Sequence, residues 1–465
     1  MARTSSQDRT SRQPELLVPL ERGAGPLRRQ IERALRDATR SGRLPPGSAV
    51  PSTRVLARDL GVSRGVVVEA YEQLIAEGFL VTRPAAATIV ATGVQPPSRD
   101  ELPEDQSPAR CDFRPGIPDV REFPRDGWGR AARRAWRAVG SGDLVYGDAQ
   151  GSIGLRAALG HYLARARGVV ASSDQIVVCT GVTQALGVTF RALAKRGIRR
   201  VALEDPAQPE LRRIAADAGM SVARVRVDED GLLATRVAAT KSRAVLVTPA
   251  HQFPAGGILS PDRRRELLAW AEKCDGYVIE DDYDAEYRYD GSPVGALQGL
   301  APERVVYCGS ASKILAPALR LGWLCVPRSL VSAVAEEKKF ADLGSPVFDQ
   351  LVYAEFLRSG ALDQHLRRMR LLYRRRRDAL ISALRVHCPD WTVSGIAAGL
   401  HLVATAPPGI DEQHVVLQAA ARDVRLHPLG AYWQNRPTGV RQGLVFGYAH
   451  LNEREIADGL ATGLG

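Results

Sequence analysis

The chain has 465 residues, 45% of them hydrophobic, and a formal charge of +11 at neutral pH. That length can bury more than one core, so two or three domains are expected. No apolar run reaches the roughly eighteen residues of a membrane span, and the opening "MARTSSQDRTSRQ" lacks the apolar stretch of a signal peptide. A cytoplasmic protein with no membrane partner is therefore expected. The six cysteines (111, 179, 274, 308, 325 and 388) form no C-x-x-C pair, which argues against a zinc site and a disulfide framework, and no metal is expected.

Positive charge is densest at the N-terminus, where residues 1–90 hold fourteen arginines against nine acids, a balance that suits a polyanionic partner. Residues 27–42, "LRRQIERALRDATRSG", put Leu27, Ile31, Leu35 and Ala38 on one helical face, and Gly42 with the prolines at 45–46 closes that helix. "PSTRVLARDLG" opens a second helix, with Ser52 as its N-cap and Leu56 and Leu60 turned inward. After the turn "GV", Ser63 caps a third helix, "RGVVVEAYEQLIAEG", and "FLVTRPAAATIVA" reads as strand, turn, strand. Three helices with a tight turn between the second and third, then a hairpin, make a winged helix-turn-helix. Such a module would present Ser63 and Arg64 to the major groove and Ser52, Thr53 and Arg54 to phosphates. Arg83, in the wing, would reach a neighbouring groove or the backbone.

The stretch from "GRLPPGSAV" through "STRVLARDLGVSR" to "AYEQLIAEGFLVTRP" resembles the DNA-binding domain of GntR-type bacterial regulators. Two departures bear on base preference. Gly65 and Val66 stand where that family usually shows polar residues, and the wing "RPAAAT" lacks the usual glycines.

Residues 92–112, rich in proline and acids and without apolar periodicity, have the composition of a linker. The expected division is a winged helix-turn-helix at 14–91, the linker at 92–112 and a larger domain at 113–465. The larger domain would have a large part at about 140–325 and a small part at about 326–465. Within it, "QIVVC" (175–179), "RVALE" (200–204), "VARVRV" (222–227), "AVLVT" (244–248), "YVIED" (277–281), "RVVYC" (304–308) and "LGWLCV" (321–326) alternate with helical stretches. That alternation indicates an α/β fold around a largely parallel sheet, whose ligands gather at the carboxyl ends of the strands.

Candidate chemistry recurs at those ends. The chain has only six lysines against fifty-seven arginines, yet one of the six, Lys313, sits in the nearly uncharged "GSASKILAPALRLG". A lysine can condense with an aldehyde, which a guanidinium cannot. Near it, Ser310, Ser312 and Arg320 supply two hydroxyls and a cation suited to phosphate. Thr180, Gly181 and Val182 form a turn opening a helix, where backbone N–H groups can hold another phosphate oxygen. Asp281 and Tyr283, two residues apart, fall on one side of an extended chain. There a carboxylate could pair with a protonated pyridine nitrogen and a phenol with a ring oxygen; the plainer reading is a solvated acidic turn. Taken together, the parts describe a pyridoxal phosphate site.

Residues 113–465 resemble the aminotransferase class I and II family, which implies a fold type I domain: a seven-stranded, mostly parallel sheet plus a small C-terminal domain. The order of winged helix, linker and aminotransferase-like domain is similar to the MocR/GabR subfamily of GntR regulators. The motifs "TPAHQFPAGGILSPDRR", "EDDYDAEYRYD", "SASKILAPALRLGW", "AAGLH" and "GYAHL" carry the likeness.

The resemblance implies that Lys313 is the Schiff-base lysine and that Asp281 holds the pyridinium proton. Tyr283 would meet the phenolic oxygen together with the "HQ" of His251 and Gln252, and Ser310, Arg320 and the Gly181 turn would bind the phosphate. Tyr146 would reach the phosphate of a neighbouring subunit in a homodimer, and Arg441 would take an effector carboxylate. It also implies a regulator that senses pyridoxal phosphate, alone or joined to a small amine or amino acid. The alternative is a working aminotransferase with a vestigial DNA-binding domain. Gln208 of "EDPAQP" stands where the subfamily usually has an aromatic residue near the cofactor, which disfavours efficient transamination. The run "YRRRR" at 373–377 reads as one charged face of a long helix, and Trp323 and Trp391 as core.

Overall fold

The computed structural model describes residues 20–21, 23–82, 87–92, 109–291, 294–434 and 436–465. The chain divides into two compact units, Met1–Pro108 and Ala109–Gly465.

In the first unit, helices Leu27–Arg40, Thr53–Leu60 and Arg64–Ala76 are followed by a hairpin of Leu80–Thr82 and Thr88–Val90. The first helix stops two residues short of the expected 27–42. Ser52 caps the second helix by accepting the Val55 N–H at 3.3 Å, and Gly61 ends it at φ 62°, in the left-handed region glycine tolerates. Ile31, Leu35, Leu56, Val67, Leu74, Leu80 and Val90 close a core among these elements. The Tyr71 hydroxyl donates to the Pro51 carbonyl at 2.7 Å and ties the third helix to the start of the second. Arg83 lies outside the described residues.

The second unit is built on a sheet with the spatial order Ile176–Cys179, Gly322–Cys325, Val305–Ser310, Tyr277–Asp282, Ala244–Val247, Arg200–Asp205, Ser221–Asp228 and Gly231–Leu232. All seven expected strands are present; the eighth is a two-residue return that pairs antiparallel with Ser221–Asp228. Gly322–Cys325 runs antiparallel to both its neighbours, and the five strands from Val305–Ser310 to Ser221–Asp228 are mutually parallel. Alternation sorts the side chains by face. Val177, Cys179, Val306, Cys308 and Leu324 meet Leu186 and Phe190 of the helix Val182–Lys195. Ile176, Val178, Tyr307, Trp323 and Cys325 meet Leu159, Tyr353 and Phe356 on the other side.

A smaller antiparallel sheet of Thr392–Ser394, His401–Thr405, Gly443–Gly447 and His427–Pro428 follows the long helix Ala361–His387. That helix corrects one expectation. Tyr373 and Arg376, in the run read as a charged outer face, are buried. Arg376 Nη2 donates to Asp119 Oδ2 at 2.8 Å, and the Tyr373 hydroxyl accepts the Asp119 N–H at 3.0 Å. Trp323 is core as expected, and Trp391 packs half-buried against the same cluster. Among the described residues no helix is long and apolar enough to cross a membrane.

Candidate functional site

The parallel strands end on one side of the sheet, and their last residues open a cavity of about 360 Å³. Asp281 stands near the end of Tyr277–Asp282 and Ser310 at the end of Val305–Ser310, with Lys313 in the single turn Ala311–Ile314 that follows. The Ser310 hydroxyl caps that turn by accepting the Ser312 N–H at 3.0 Å. Asp281, Tyr283, Ser310, Ser312, Lys313, Val182 and Arg320 all line the cavity.

Its floor depends on two glycines. Gly181 sits at φ +96°, and a Cβ there would lie 3.0 Å from the Arg320 guanidinium; one on Gly322 would lie 2.9 Å from the Gly181 backbone. Their absence lets Arg320 lie over the turn, where its Nη2 donates to the Thr180 carbonyl at 2.8 Å. Behind it, Gly181 is the N-cap of the helix Val182–Lys195, whose first N–H groups are a ready anion site.

Burial governs the charges. It pushes the Lys313 amine below its ordinary pKa, with Asp281 and Asp284 pulling the other way; the ammonium donates to the Gly116 carbonyl at 2.7 Å. Burial also raises the Asp281 carboxyl to about 7, helped by the charge of Asp282 and opposed by Lys313. Among the described residues, Asp281 Oδ1 is buried without a hydrogen-bond partner, a state that costs free energy until a donor arrives. Glu204, also on the cavity wall, is raised to about 7 by burial against hydrogen bonds from Thr248 and Gln252. A buried carboxylate awaiting a donor, an amine eased toward its neutral form and a guanidinium over a glycine turn fit the ring nitrogen, the aldehyde and the phosphate of pyridoxal phosphate.

Not every expected residue meets this cavity. Gln252 is turned away, and its amide is fully engaged. Nε2 donates to Glu204 at 3.3 Å, to the Pro206 carbonyl at 3.0 Å and to the Phe253 carbonyl at 2.8 Å, while Oε1 accepts the Ala255 N–H at 3.0 Å. Phe253 takes the wall in its place. The hydroxyl of Tyr283 instead lies 3.1 Å from Nδ1 of His251. Arg441 is exposed and outside the cavity, and the neighbouring Gln442 accepts the Glu412 N–H at 2.9 Å. Tyr146, 88% exposed, lines a separate depression with Phe340 and Leu343. Gln208, at the position where the resembled subfamily usually has an aromatic residue, lines the cavity. Sequence reasoning passed over Glu204, Phe253 and Asp284; the signals were the acid closing the "RVALE" strand and the fourth acid of "EDDYD".

On the first unit, Ser52, Arg54, Ser63 and Arg64 are exposed and Thr53 is half-buried. Arg64 Nε donates to Thr53 Oγ1 at 3.4 Å, which sets the starts of the second and third helices side by side.

Comparison with known proteins gives the same two parts. Residues 27–90 match the family described as bacterial regulatory proteins, gntR family, and residues 119–422 match aminotransferase class I and II. The chain is 34% identical over 448 residues to the HTH-type pyridoxine biosynthesis transcriptional regulator PdxR of Corynebacterium glutamicum, covering 93% of this chain and 96% of that one. It is 32% identical over 470 residues to the probable rhizopine catabolism regulatory protein MocR of Rhizobium meliloti, covering 96% and 94%. Among solved structures, the kynurenine aminotransferase of Pyrococcus horikoshii in complex with PMP superposes with a TM-score of 0.68 at 26% identity, covering 76% of this chain and 89% of that one.

Proposed function

The chain belongs to the GntR-type transcriptional regulators that carry an aminotransferase class I and II domain, and from that premise we propose that it reads pyridoxal phosphate, free or joined to a small amine, and adjusts its hold on an operator accordingly. The observation that carries the reading is the Asp281 carboxylate, whose buried Oδ1 has no hydrogen-bond partner among the described residues, lining the same cavity as the Lys313 amine. When bound, pyridoxal phosphate supplies an aldehyde that condenses reversibly with amines. The burial that lowers the pKa of Lys313 raises the share of free amine able to meet that aldehyde. Asp281 would hold the proton at the ring nitrogen, and Arg320 with the N-terminus of Val182–Lys195 would hold the phosphate.

On the DNA side, Ser63 and Arg64 would read bases while Ser52, Thr53 and Arg54 hold phosphates. An effector that competes with Lys313 can change DNA affinity only through unequal affinity for two states, a coupling of about 1–3 kcal/mol in typical cases. The protein would act in the cytoplasm as a homodimer. The exposed rings of Tyr146 and Phe340 around one depression support pairing of two copies there.

Adding pyridoxal phosphate to the purified protein should produce a visible absorbance band and change operator affinity. Lys313→Ala should lose the band while keeping DNA binding. A variant that kept the wild-type spectrum would remove Lys313 from its role, and steady transamination at ordinary enzyme rates would favour an aminotransferase instead.

A further inference from the structure

With Gln252 committed elsewhere, His251 and Asp284 are the polar neighbours beneath Tyr283. His251 Nδ1 lies 3.1 Å from each Asp284 carboxylate oxygen and 3.1 Å from the Tyr283 hydroxyl. A ring nitrogen holds either a proton or a lone pair, so Nδ1 cannot donate to Asp284 and accept from Tyr283 at once. Asp284 decides between them. Its Oδ2 also accepts the Leu400 N–H at 3.2 Å, so the carboxylate is the acceptor and Nδ1 carries the proton. The Tyr283 oxygen then faces an N–H, and its own proton finds no acceptor on the histidine. The space left to that proton is the cavity Tyr283 lines.

His401, 4.8 Å away between ring centroids, completes the cluster. Burial pushes its pKa down to about 3, and its Nε2 lies 3.2 Å from the Pro254 carbonyl. Ligating atoms of His251, Asp284 and His401, all three buried, lie within 4.8 Å of one another. A Cβ on Gly399 would stand 2.3 Å from His251 Nδ1 and 2.4 Å from Asp284 Oδ2, so the backbone of Gly399 already closes that side.

We infer that Asp284 and His251 are positioning residues that hold Tyr283 as a hydrogen-bond donor aimed into the cavity, at the ring oxygen of pyridoxal phosphate. The inference rests on reading the cavity as the site of that cofactor. The titratable groups facing the cluster are Asp281, Glu204, Tyr448, His401 and Lys313. Burial holds the Tyr283 phenol well above 10, so it keeps a proton to give. A donor at the ring oxygen stabilises the deprotonated form of that oxygen and lowers the pH midpoint of the visible band. Losing the donor raises the midpoint by about one to two pH units.

The test is a spectrophotometric pH titration of the full-length protein loaded with pyridoxal phosphate. Tyr283→Phe and His251→Phe should raise the midpoint by similar amounts, and the double variant no further. His251→Asn, whose amide N–H can stand near the place of Nδ1, should stay close to wild type. A wild-type midpoint in His251→Phe, or additive shifts in the double variant, would overturn the inference. Nitrogen-15 NMR of the cofactor-free protein should find His251 protonated at Nδ1. The Nε2–H form would overturn the inference even if the phenylalanine variant failed to fold. Absence of any visible band in the wild type would instead sink the cofactor reading, while the tautomer measurement still decides the state of His251.

Discussion

Asp282 and Arg167 form a sealed ion pair: Nε and Oδ2 stand 2.8 Å apart, and each side chain is 1% exposed. The Tyr307 hydroxyl donates to the same carboxylate oxygen at 2.8 Å, and Arg167 Nη2 reaches Oδ1 at 3.2 Å. Removing one partner strands the other charge, so Asp282→Ala should destabilise the second unit by about 3–5 kcal/mol. Replacing both residues with apolar ones of similar volume should cost far less. All six tryptophans lie between residues 128 and 433, so denaturant unfolding followed by tryptophan fluorescence reads that unit alone. Equal losses in the single and double variants would contradict the assignment.

Asp281 should make the cofactor-free protein lose stability with rising pH. Its folded pKa, raised to about 7 mainly by burial, lies above the ordinary carboxylate value. The folded state therefore binds more protons between about pH 4 and pH 7, and the contribution present below pH 4 is lost as pH rises through 7. Asp281→Asn should be more stable than wild type at pH 8, by a margin on the order of 3 kcal/mol, and equal to it at pH 4. The difference between variant and wild type cancels the titrating groups that do not interact with Asp281. A margin that did not grow with pH would show that the carboxyl is not strained by burial.

The two arginines at the adjoining helix starts should separate by function. Arg64→Ala should relax sequence preference, with a loss of about 1–3 kcal/mol at the preferred operator. Arg54→Ala should weaken binding to every sequence alike and flatten the salt dependence by roughly one unit of slope. Fluorescence anisotropy at several salt concentrations, on operator and scrambled DNA, distinguishes the outcomes. Two identical patterns would defeat the division of labour.

Phe340, 76% exposed beside the Tyr146 depression, should matter to assembly more than to folding. Phe340→Glu should shift the protein toward monomer in sedimentation while leaving its unfolding midpoint within a few degrees of wild type. An unchanged sedimentation profile would place the interface elsewhere.

Local pattern accounts for much of what was legible beforehand. Seven of the eight strands of the large sheet follow from short β-branched runs between helical stretches, and the three N-terminal helices from their apolar spacing and caps. Asp281 and Tyr283 share a side because strand geometry alternates, and Lys313 stands out because lysine is scarce here. The fate of Gln252 was not legible. Whether it or its neighbours face the cavity turns on hydrogen bonds to Glu204 and Pro206, more than forty positions earlier. The burial of Arg376 likewise depends on Asp119, 257 positions away.

The amino-acid order alone determined the two-part architecture, the strands and the residue types needed at their ends, because periodicity and turn chemistry act over a few neighbouring residues. Only the tertiary structure decided which side chains meet: Arg320 over the Gly181 turn, His251 beneath Tyr283, Asp281 and Lys313 on one cavity. Those encounters join segments far apart in the chain, and their energies come from burial and hydrogen-bond matching that arise once the sheet has assembled.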